Sequence, residues 1–224
     1  MKITWLGQGG FLFDIDGFKI MIDPYLSNSV QAIEPQNYRR VPVCESFLKI
    51  KPNVLVLTHN HLDHTDPDTL KNYLLDGKVT VLASYNAWKT VRTTFKNVNN
   101  NYVSFNVGSE WTENGVLFKA VYAEHSDEYA IGVIICYGGK TYYITGDTLY
   151  NEKVFASIHD KIDYCFLAVN GRGNNMNFTE GKRFAKRLNA TAIPIHCGLF
   201  DEIDLNSFDY EDKIIFKFYE EKEF

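Results

Sequence analysis

One short segment of the chain concentrates side chains that bind divalent metal ions. It follows an apolar run, Val54 to Leu57, and its ligand-type residues have the spacing H-x-H-x-D-H: His59, His61, Asp63 and His64. Imidazole nitrogens and carboxylate oxygens bind ions such as zinc at about 2.0–2.2 Å. Alternation along an extended segment places the first three on one side, so the fourth must come from a turn. So many ligands on so short a segment favour two neighbouring ions over one.

The same segment also carries signals for the start of a helix. Thr65 and Asp66 are both residue types that cap helix N-termini, and Pro67 fits the first helical turn. A helix needs only one capping residue, so capping leaves the three histidines unexplained. We therefore expect a metal site at the end of the strand, followed by a capped helix.

Single metal-ligand residues follow several other predicted strands. They are Asp23, His125, Asp147 and His196. A lone histidine beside a strand is usually hydrogen-bonded packing, and Asp147 beside a glycine is also typical of a turn. Together with the cluster, however, they place five of the six histidines at strand ends, where functional loops leave a rigid sheet. A carboxylate such as Asp147 can bridge two cations. The sixth histidine, His159, is predicted on the surface near the end of a helix.

The apolar pattern predicts sheets covered by helices, in a single domain over residues 1–224. Strands are predicted at 2–6, 11–15, 18–22, 54–58, 79–83, 102–106, 110–113, 116–121, 131–137, 140–145, 164–169 and 192–195, and helices at 67–75, 85–95, 152–159 and 179–188. Asp16-Gly17 is a strong signal for a two-residue hairpin turn.

Two stretches have weaker patterns. Residues 25–50 are expected to form a long loop with a short helix at 44–49, and a long loop in a compact domain often covers a functional site. Residues 214–219 alternate in the manner of an edge strand. Neither stretch contributes a metal-ligand candidate.

Composition restricts the classes of partner. The 224 residues carry a net charge of -5 and have a pI near 5.7, which argues against a nucleic-acid surface rich in Lys and Arg. No apolar run is long enough to span a membrane, and the first residues enter a strand without a signal-peptide pattern. The four scattered cysteines form neither a thiolate metal motif nor a disulfide framework. We expect a soluble cytoplasmic protein with reduced cysteines, and both a monomer and a homo-oligomer stay open.

A segment rich in glycine and asparagine, Asn170 to Asn177, follows the predicted strand at 164–169. Its glycines allow backbone N–H groups to approach an anion, and Arg172 can make a bidentate contact with phosphate or carboxylate. The same composition is also typical of a turn with residues at positive φ. Composition alone leaves both interpretations open.

From Trp5 to His196 the chain resembles the metallo-β-lactamase superfamily, through H-x-H-x-D-H followed by isolated His, Asp and His at strand ends. The resemblance implies an α/β fold of the α+β type, a four-layered αββα sandwich with its site at one edge between the sheets. The implied ligands of one ion are His59, His61 and His125, and those of the second are Asp63, His64 and His196. Asp147 would bridge the ions, and Asp23 would support the site from behind the ligands.

Four further segments are similar to the L-ascorbate-6-phosphate lactonase branch of that superfamily. They are Trp5 to Phe11, His125 to Asp127, Gly146 to Tyr150 and Asn170 to Asn177. The branch opens a sugar-acid lactone and is associated with manganese, whereas most of the superfamily uses zinc. This resemblance favours substrate binding by the last segment, with Asn170, Arg172 and Asn174 as candidate contacts.

The resulting hypothesis is a metal-dependent hydrolase of a small anionic substrate, with lactone opening as the favoured chemistry. Two divalent ions, zinc or manganese, would lower the pKa of a bridging water and supply hydroxide at neutral pH. Asp63 and Asp147 are the candidate catalytic residues, with Asp63 accepting a proton as well as binding metal. The alternatives are a phosphodiesterase or nuclease on the same scaffold, which the acidic charge disfavours, and a non-hydrolytic metal-binding or redox protein.

Overall fold

Two β-sheets lie face to face, with helices on their outer surfaces. The structure is a computed structural model that describes residues 1–224. Its strands are β1 Lys2–Gly7, β2 Gly10–Ile15, β3 Phe18–Ile22, β4 Val54–Leu57, β5 Thr80–Ala83, β6 Asn101–Ser104, β7 Glu110–Glu113, β8 Val116–Tyr122, β9 Ile131–Tyr137, β10 Lys140–Ile144, β11 Tyr164–Ala168, β12 Thr191–Ile195 and β13 Glu221–Glu223. Its helices are α1 Ser29–Ile33, α2 Pro67–Leu74, α3 Tyr85–Phe95, α4 Glu152–Ala156 and α5 Phe178–Leu188. Helices α2 and α3 lie against the first sheet, and α4 and α5 lie against the second. All the helices are too short to span a membrane.

Both sheets mix parallel and antiparallel strands. Their strand orders are β13-β1-β2-β3-β4-β5-β6 and β12-β11-β10-β9-β8-β7. Strands β3 to β6 are parallel in the first sheet, and β10 to β12 are parallel in the second. The predicted hairpin joins β2 and β3, and Asp16 and Gly17 at its tip have φ of 51° and 93°. Positive φ at both positions gives a turn whose twist matches that of the strands.

The first sheet is buried on both faces, which explains its uninterrupted apolar runs. In β4, Val54 and Val56 belong to the core between the sheets, whereas Leu55 and Leu57 belong to the core beneath α2 and α3. Successive residues of a strand point to opposite faces, so each apolar side chain has a layer to pack against. The predicted four-layered αββα sandwich is therefore confirmed.

The strands that carry the metal-ligand residues end at one edge of this sandwich. Parallel strands β3 and β4 end just before Asp23 and the segment 59–64. In the second sheet β8, β10 and β12 share one direction, since β8 and β10 are both antiparallel to β9, and they end before His125, Asp147 and His196. Ligands that are far apart in the chain thus follow strand ends on a common edge.

Helix α4 is shorter than predicted. It ends at Ala156 because the Ser157 hydroxyl donates to the Val154 carbonyl and accepts from the Tyr122 N–H, which ties the chain to β8. His159 therefore lies beyond the helix rather than at its end. It is exposed, in agreement with its predicted place on the surface.

The long loop and the C-terminal tail also differ from prediction. The short helix predicted in the loop is only a 3-10 turn, Phe47–Lys49, whereas α1 occupies a part predicted to be irregular. Residues 214–219 form no strand, and the edge strand is β13, which pairs with β1. The alternation in 214–219 arises because Phe216 and Phe218 pack inward, the latter stacked on Trp5 with ring centroids 4.4 Å apart.

Candidate metal centre

Eight histidine and aspartate side chains meet at this edge in three overlapping groups. The groups are His59, His61, His125 and Asp147; Asp63, His64 and His196; and Asp23, His59 and His64. Within each group the ligand atoms lie within 4.8 Å of one another. The structure thus brings together all seven candidate ligands and the candidate supporting residue Asp23.

The second group has the spacing expected of ligands around one ion. His64 Nε2 and His196 Nε2 are 3.1 Å apart, and Asp63 Oδ2 lies 3.9 Å and 3.5 Å from them, respectively. Asp147 Oδ1 lies 3.2 Å from both of these nitrogens. Ligands about 2.1 Å from a tetrahedral ion are about 3.4 Å apart. These four atoms therefore fit a single divalent cation after small adjustments.

The first group contains buried ligand atoms that have no hydrogen-bond partner. These atoms are His59 Nε2 and His125 Nε2. A buried polar atom without a partner costs about 1–3 kcal/mol, and native proteins leave few of them. The rings of His61 and His125 lie beside His59, with centroids 4.8 Å and 4.4 Å from its own. The residues of this group fit a cation, because one ion would satisfy both nitrogens and Asp147 adds a carboxylate beside them.

Electrostatics separate His64 from two other histidines of the centre, His59 and His125. Burial, reinforced by the neighbouring His64, lowers the pKa of His59 well below its usual value, and burial lowers the pKa of His125 to about 4. Burial would also lower the pKa of His64, but the surrounding carboxylates, Asp147 foremost, raise it well above its usual value. His59 and His125 are therefore neutral at pH 7 and can bind a metal directly. A cation at His64 must displace a proton, so metal binding should release protons.

Asp23 holds His64 from the side opposite the other ligands. It is fully buried, and its Oδ2 lies 2.8 Å from His64 Nδ1. Its Oδ1 accepts from the Thr58 N–H at 2.8 Å, and the Thr58 hydroxyl donates to Oδ2 and lies 3.0 Å from His59 Nδ1. Carboxylates in such positions fix the ring orientation of metal-binding histidines. The contacts of Asp23 thus suit a supporting role.

Three residues at the centre have left-handed backbone conformations. The φ angles are 46° at Gln8, 40° at Asp23 and 68° at His196. This conformation costs about 1–2 kcal/mol for a residue other than glycine. Such strain persists where the surrounding structure enforces it, often at functional sites.

Gly9 leaves room for the ring of His64. A Cβ at this position would lie 2.7 Å from His64 Cε1 and 3.1 Å from Nδ1. Gly9→Ala should therefore turn the ring away from Asp23 and weaken metal binding by about 10- to 100-fold, measured by competition with a chelator. Gly17→Ala at the far end of β2 controls for general destabilisation, because its φ of 93° strains an alanine while the added methyl group meets nothing within 4 Å. Unchanged metal affinity in Gly9→Ala would mean that the ring position does not matter.

A cavity of about 560 Å³ opens beside the centre. Asp63, Asp147 and His196 form part of its wall, so a small molecule inside it reaches the ligand side chains. Arg172 is exposed and is the only lysine or arginine in the wall. Its backbone N–H donates to Asn170, but its guanidinium has no partner. The guanidinium is therefore free to bind an anion.

Asn170 and Asn174 also line the cavity, but both are engaged by other side chains. Asn170 Nδ2 lies 3.1 Å from His196 Nδ1, and its Oδ1 accepts from the Arg172 N–H at 3.1 Å. Asn174 Nδ2 donates to Ser126 Oγ at 2.9 Å. The structure thus places the three candidate substrate contacts in one cavity, with Asn170 beside a candidate ligand and Asn174 tied to a neighbouring loop.

The sequence alone assigns no role to Gln8 and Asn175, although both contact candidate ligands. Gln8 Nε2 donates to Asp63 Oδ2 at 3.0 Å, and Asn175 Nδ2 donates to Asp147 Oδ2 at 3.0 Å. Both side chains are buried. The one available signal is position, because Gln8 lies in the glycine-rich turn after β1 and Asn175 in the loop after β11.

The chain is similar to metal-dependent hydrolases along most of its length. A family model described as the β-lactamase superfamily domain matches residues 2–196. A protein named UPF0173 metal-dependent hydrolase from Sulfurisphaera tokodaii is 26% identical over 218 residues, which cover 95% of this chain and 91% of that protein. A UPF0173 metal-dependent hydrolase from Staphylococcus saprophyticus is 29% identical over 224 residues, which cover 91% of this chain and 89% of that protein. Igni18, a metallo hydrolase from Ignicoccus hospitalis, shares the fold, with a TM-score of 0.76 and 22% identity over 100% of this chain and 98% of that one.

Proposed function

We propose a function for this chain, which belongs to the β-lactamase superfamily: it is a metal-dependent hydrolase of a small anionic substrate. The observation that carries the proposal is the pair of buried ring nitrogens without partners on His59 and His125, within one group of candidate ligands. The names of the similar proteins from Sulfurisphaera and Staphylococcus support it. The adjoining cavity, with one unpaired arginine, supports a small anion as the substrate.

Two divalent ions, zinc or manganese, would occupy the centre. One would be held by His59, His61 and His125 and the other by Asp63, His64 and His196, with Asp147 shared. Asp147 supports this division, because it belongs to the first group and its Oδ1 lies 3.2 Å from two nitrogens of the second. Such a pair of ions lowers the pKa of a shared water and polarises the electrophile of the substrate. Imidazole and carboxylate ligands suit both metals, so availability would decide between them.

Residues of the chain itself would orient the reaction and move its protons. Asp63 lines the cavity and its side chain is 19% exposed, so it would accept a proton from water there. Gln8 holds one oxygen of that carboxylate, which leaves the other for the proton. Asn175 holds Asp147 in the same way, through Oδ2 alone.

Lactone opening is the proposed chemistry, and the lactone of a sugar-acid phosphate is the first candidate substrate. The segments similar to the ascorbate-phosphate lactonase branch support this choice, and Arg172 would bind the anionic group of the substrate. The reaction adds water across the ester bond of the ring. The carbonyl carbon gains an oxygen, the ring C–O bond breaks, and Asp63 would return its proton to the departing alkoxide.

A polynucleotide is less compatible with the cavity. Arg172 is the single cationic side chain of the wall, which provides for one anionic group but not for a run of phosphates. Nucleic-acid surfaces instead present clustered positive charge to the phosphates. Phosphodiesters therefore serve as a comparison class in the test of function.

Metal analysis followed by a substrate panel tests the proposal. Elemental analysis of the purified protein is expected to give two equivalents of zinc or manganese. The protein loaded with that metal is then assayed on lactones, phosphodiesters and thioesters, and anionic lactones are expected to be hydrolysed fastest. Failure to bind metal and to hydrolyse any class would contradict the proposal, and turnover of phosphodiesters alone would replace the lactone chemistry.

Arg172→Ala is expected to weaken substrate binding without affecting the metals. Loss of a charge-assisted hydrogen bond of about 1.5–3 kcal/mol should raise KM for an anionic lactone by about 10- to 100-fold. Steady-state kinetics and metal analysis of the same sample separate the two effects. Arg92→Ala is the matched control, because Arg92 is exposed on α3, stacks over Trp88 and does not line the cavity. An unchanged KM in Arg172→Ala would remove the arginine from the substrate site.

A further inference from the structure

Gln8 links two candidate ligands of the second ion. Its side chain is 2% exposed, and its Nε2 donates to Asp63 Oδ2 at 3.0 Å and lies 3.5 Å from His196 Nδ1. These ligands are 55 and 188 residues away from it in the sequence. Its own backbone is fixed, because the Trp5 indole N–H donates to its carbonyl at 3.0 Å. The left-handed φ of 46° at Gln8 departs from the extended backbone of β1, which ends at Gly7.

Asp127 makes a corresponding link around the candidate ligands of the first ion. Its Oδ2 accepts at 3.1 Å from the N–H of Asn60, the residue between His59 and His61. Its Oδ1 accepts from Asn86 Nδ2 on α3 at 2.7 Å. Its backbone N–H lies 2.9 Å from His125 Nδ1. One aspartate thus connects the loop after β4, helix α3 and the loop after β8.

The two links share no ligand. The hydrogen bonds of Gln8 reach Asp63 and His196, whereas those of Asp127 reach the backbone beside His59 and His61 and the ring of His125. Each also joins ligand segments from different sheets, since β4 belongs to one sheet and β8 and β12 belong to the other. Loss of one link should therefore loosen one group of ligands and leave the other group in place.

We propose that Gln8 and Asp127 are positioning residues, each specific for one of the two metal positions. Gln8 sets the relative placement of Asp63 and His196, and Asp127 sets that of the 59–61 segment and His125. This inference rests on the proposed two-ion centre. It adds that the affinities of the two ions are set by different residues and can be changed separately.

The test measures each position in isolation. His125→Ala removes a ligand of the first ion and reports on the second, and His196→Ala does the reverse. Gln8→Met and Asp127→Leu are introduced into both backgrounds, since each closely preserves side-chain size while removing the polar side-chain atoms that make the link. Zinc affinity is determined by competition with a chelator, and cobalt absorption spectra report the ligand environment.

Gln8→Met should lower zinc affinity by about 10- to 100-fold in the His125→Ala background and less than about twofold in the His196→Ala background. Asp127→Leu should show the opposite pattern, so each variant is the control for the other. Asp160→Asn, which alters a pair with Lys119 away from the centre, should change neither affinity. Equal losses in both backgrounds, or no loss in either, would overturn the inference.

Two further measurements keep the result interpretable. Thermal unfolding of the metal-free proteins identifies variants that are simply misfolded, and Gln8→Asn and Asp127→Ala replace any such variant with the same expected pattern. Metal stoichiometry of the unaltered protein tests the premise separately. Two ions with no selectivity among the variants would refute the positioning roles alone, whereas a single ion would refute the two-ion function and the positioning roles with it.

Discussion

Asp147→Ala should abolish hydrolysis and leave the protein with fewer than two bound ions. Asp147 is the one carboxylate that belongs to the first ligand group and also faces His64 and His196 of the second. Its removal takes a ligand from both positions. Loss of an outer partner of a metal ligand already costs about 10- to 100-fold, so loss of a shared ligand should exceed about 100-fold in kcat/KM.

The measurement combines lactone kinetics with elemental analysis of the same sample. Asp160→Ala is the control, because it removes an aspartate of the loop before β11 that pairs with Lys119 instead. Asp147→Asn adds a second comparison, since it keeps the size of the side chain but replaces one carboxylate oxygen with an N–H donor. Full activity with two ions in either Asp147 variant would rule out a shared carboxylate.

Removal of the metals should lower the melting temperature by about 10–20 °C. Each ion present at about 100 times its Kd stabilises the folded state by about 2.7 kcal/mol, and 1 kcal/mol corresponds to about 2–4 °C for a chain of this size. The structural reason is the burial of unpartnered ring nitrogens on His59 and His125, which an ion would satisfy. Calorimetry before and after dialysis against a chelator measures the change.

Two histidine variants show whether this stabilisation comes from the centre. His61→Ala should reduce the difference between metal-loaded and metal-free protein, because it removes one candidate ligand. His159→Ala should retain the full difference, because His159 is exposed and lies outside every ligand group. An identical melting temperature with and without metal would indicate that no ion binds preferentially to the folded protein.

The sequence predicts the strands well because they have strong local signals, whereas the sandwich is implied by the family resemblance. The apolar run Val54 to Leu57 and the Asp16-Gly17 turn each specify a local structure that the fold preserves. The candidate ligands could also be listed from the sequence, since histidine and aspartate at strand ends are recognisable by type. Their grouping could not be derived from spacing, because it depends on which strands share an edge.

The remaining features depend on contacts between distant parts of the chain. Gln8 has an ordinary residue type, and only its distance of 3.0 Å from Asp63 gives it a role. Residues 214–219 alternate like a strand, yet Phe218 packs on Trp5 while β13 takes the edge of the sheet. Periodicity records which side chains are buried and does not record the partner that buries them.

The left-handed residues at the centre set a limit on the stability of the protein. Gln8, Asp23 and His196 all hold backbone conformations that favour glycine or asparagine, at a cost of about 1–2 kcal/mol each. Glycine at these positions would relieve the strain. It would also remove the contact of Gln8 to Asp63, the contact of Asp23 to His64, or the candidate ligand His196 itself. Selection for thermal stability in the absence of metal would therefore act against the centre. The most stable sequence for this backbone and the sequence that best retains the metal site are two different optima.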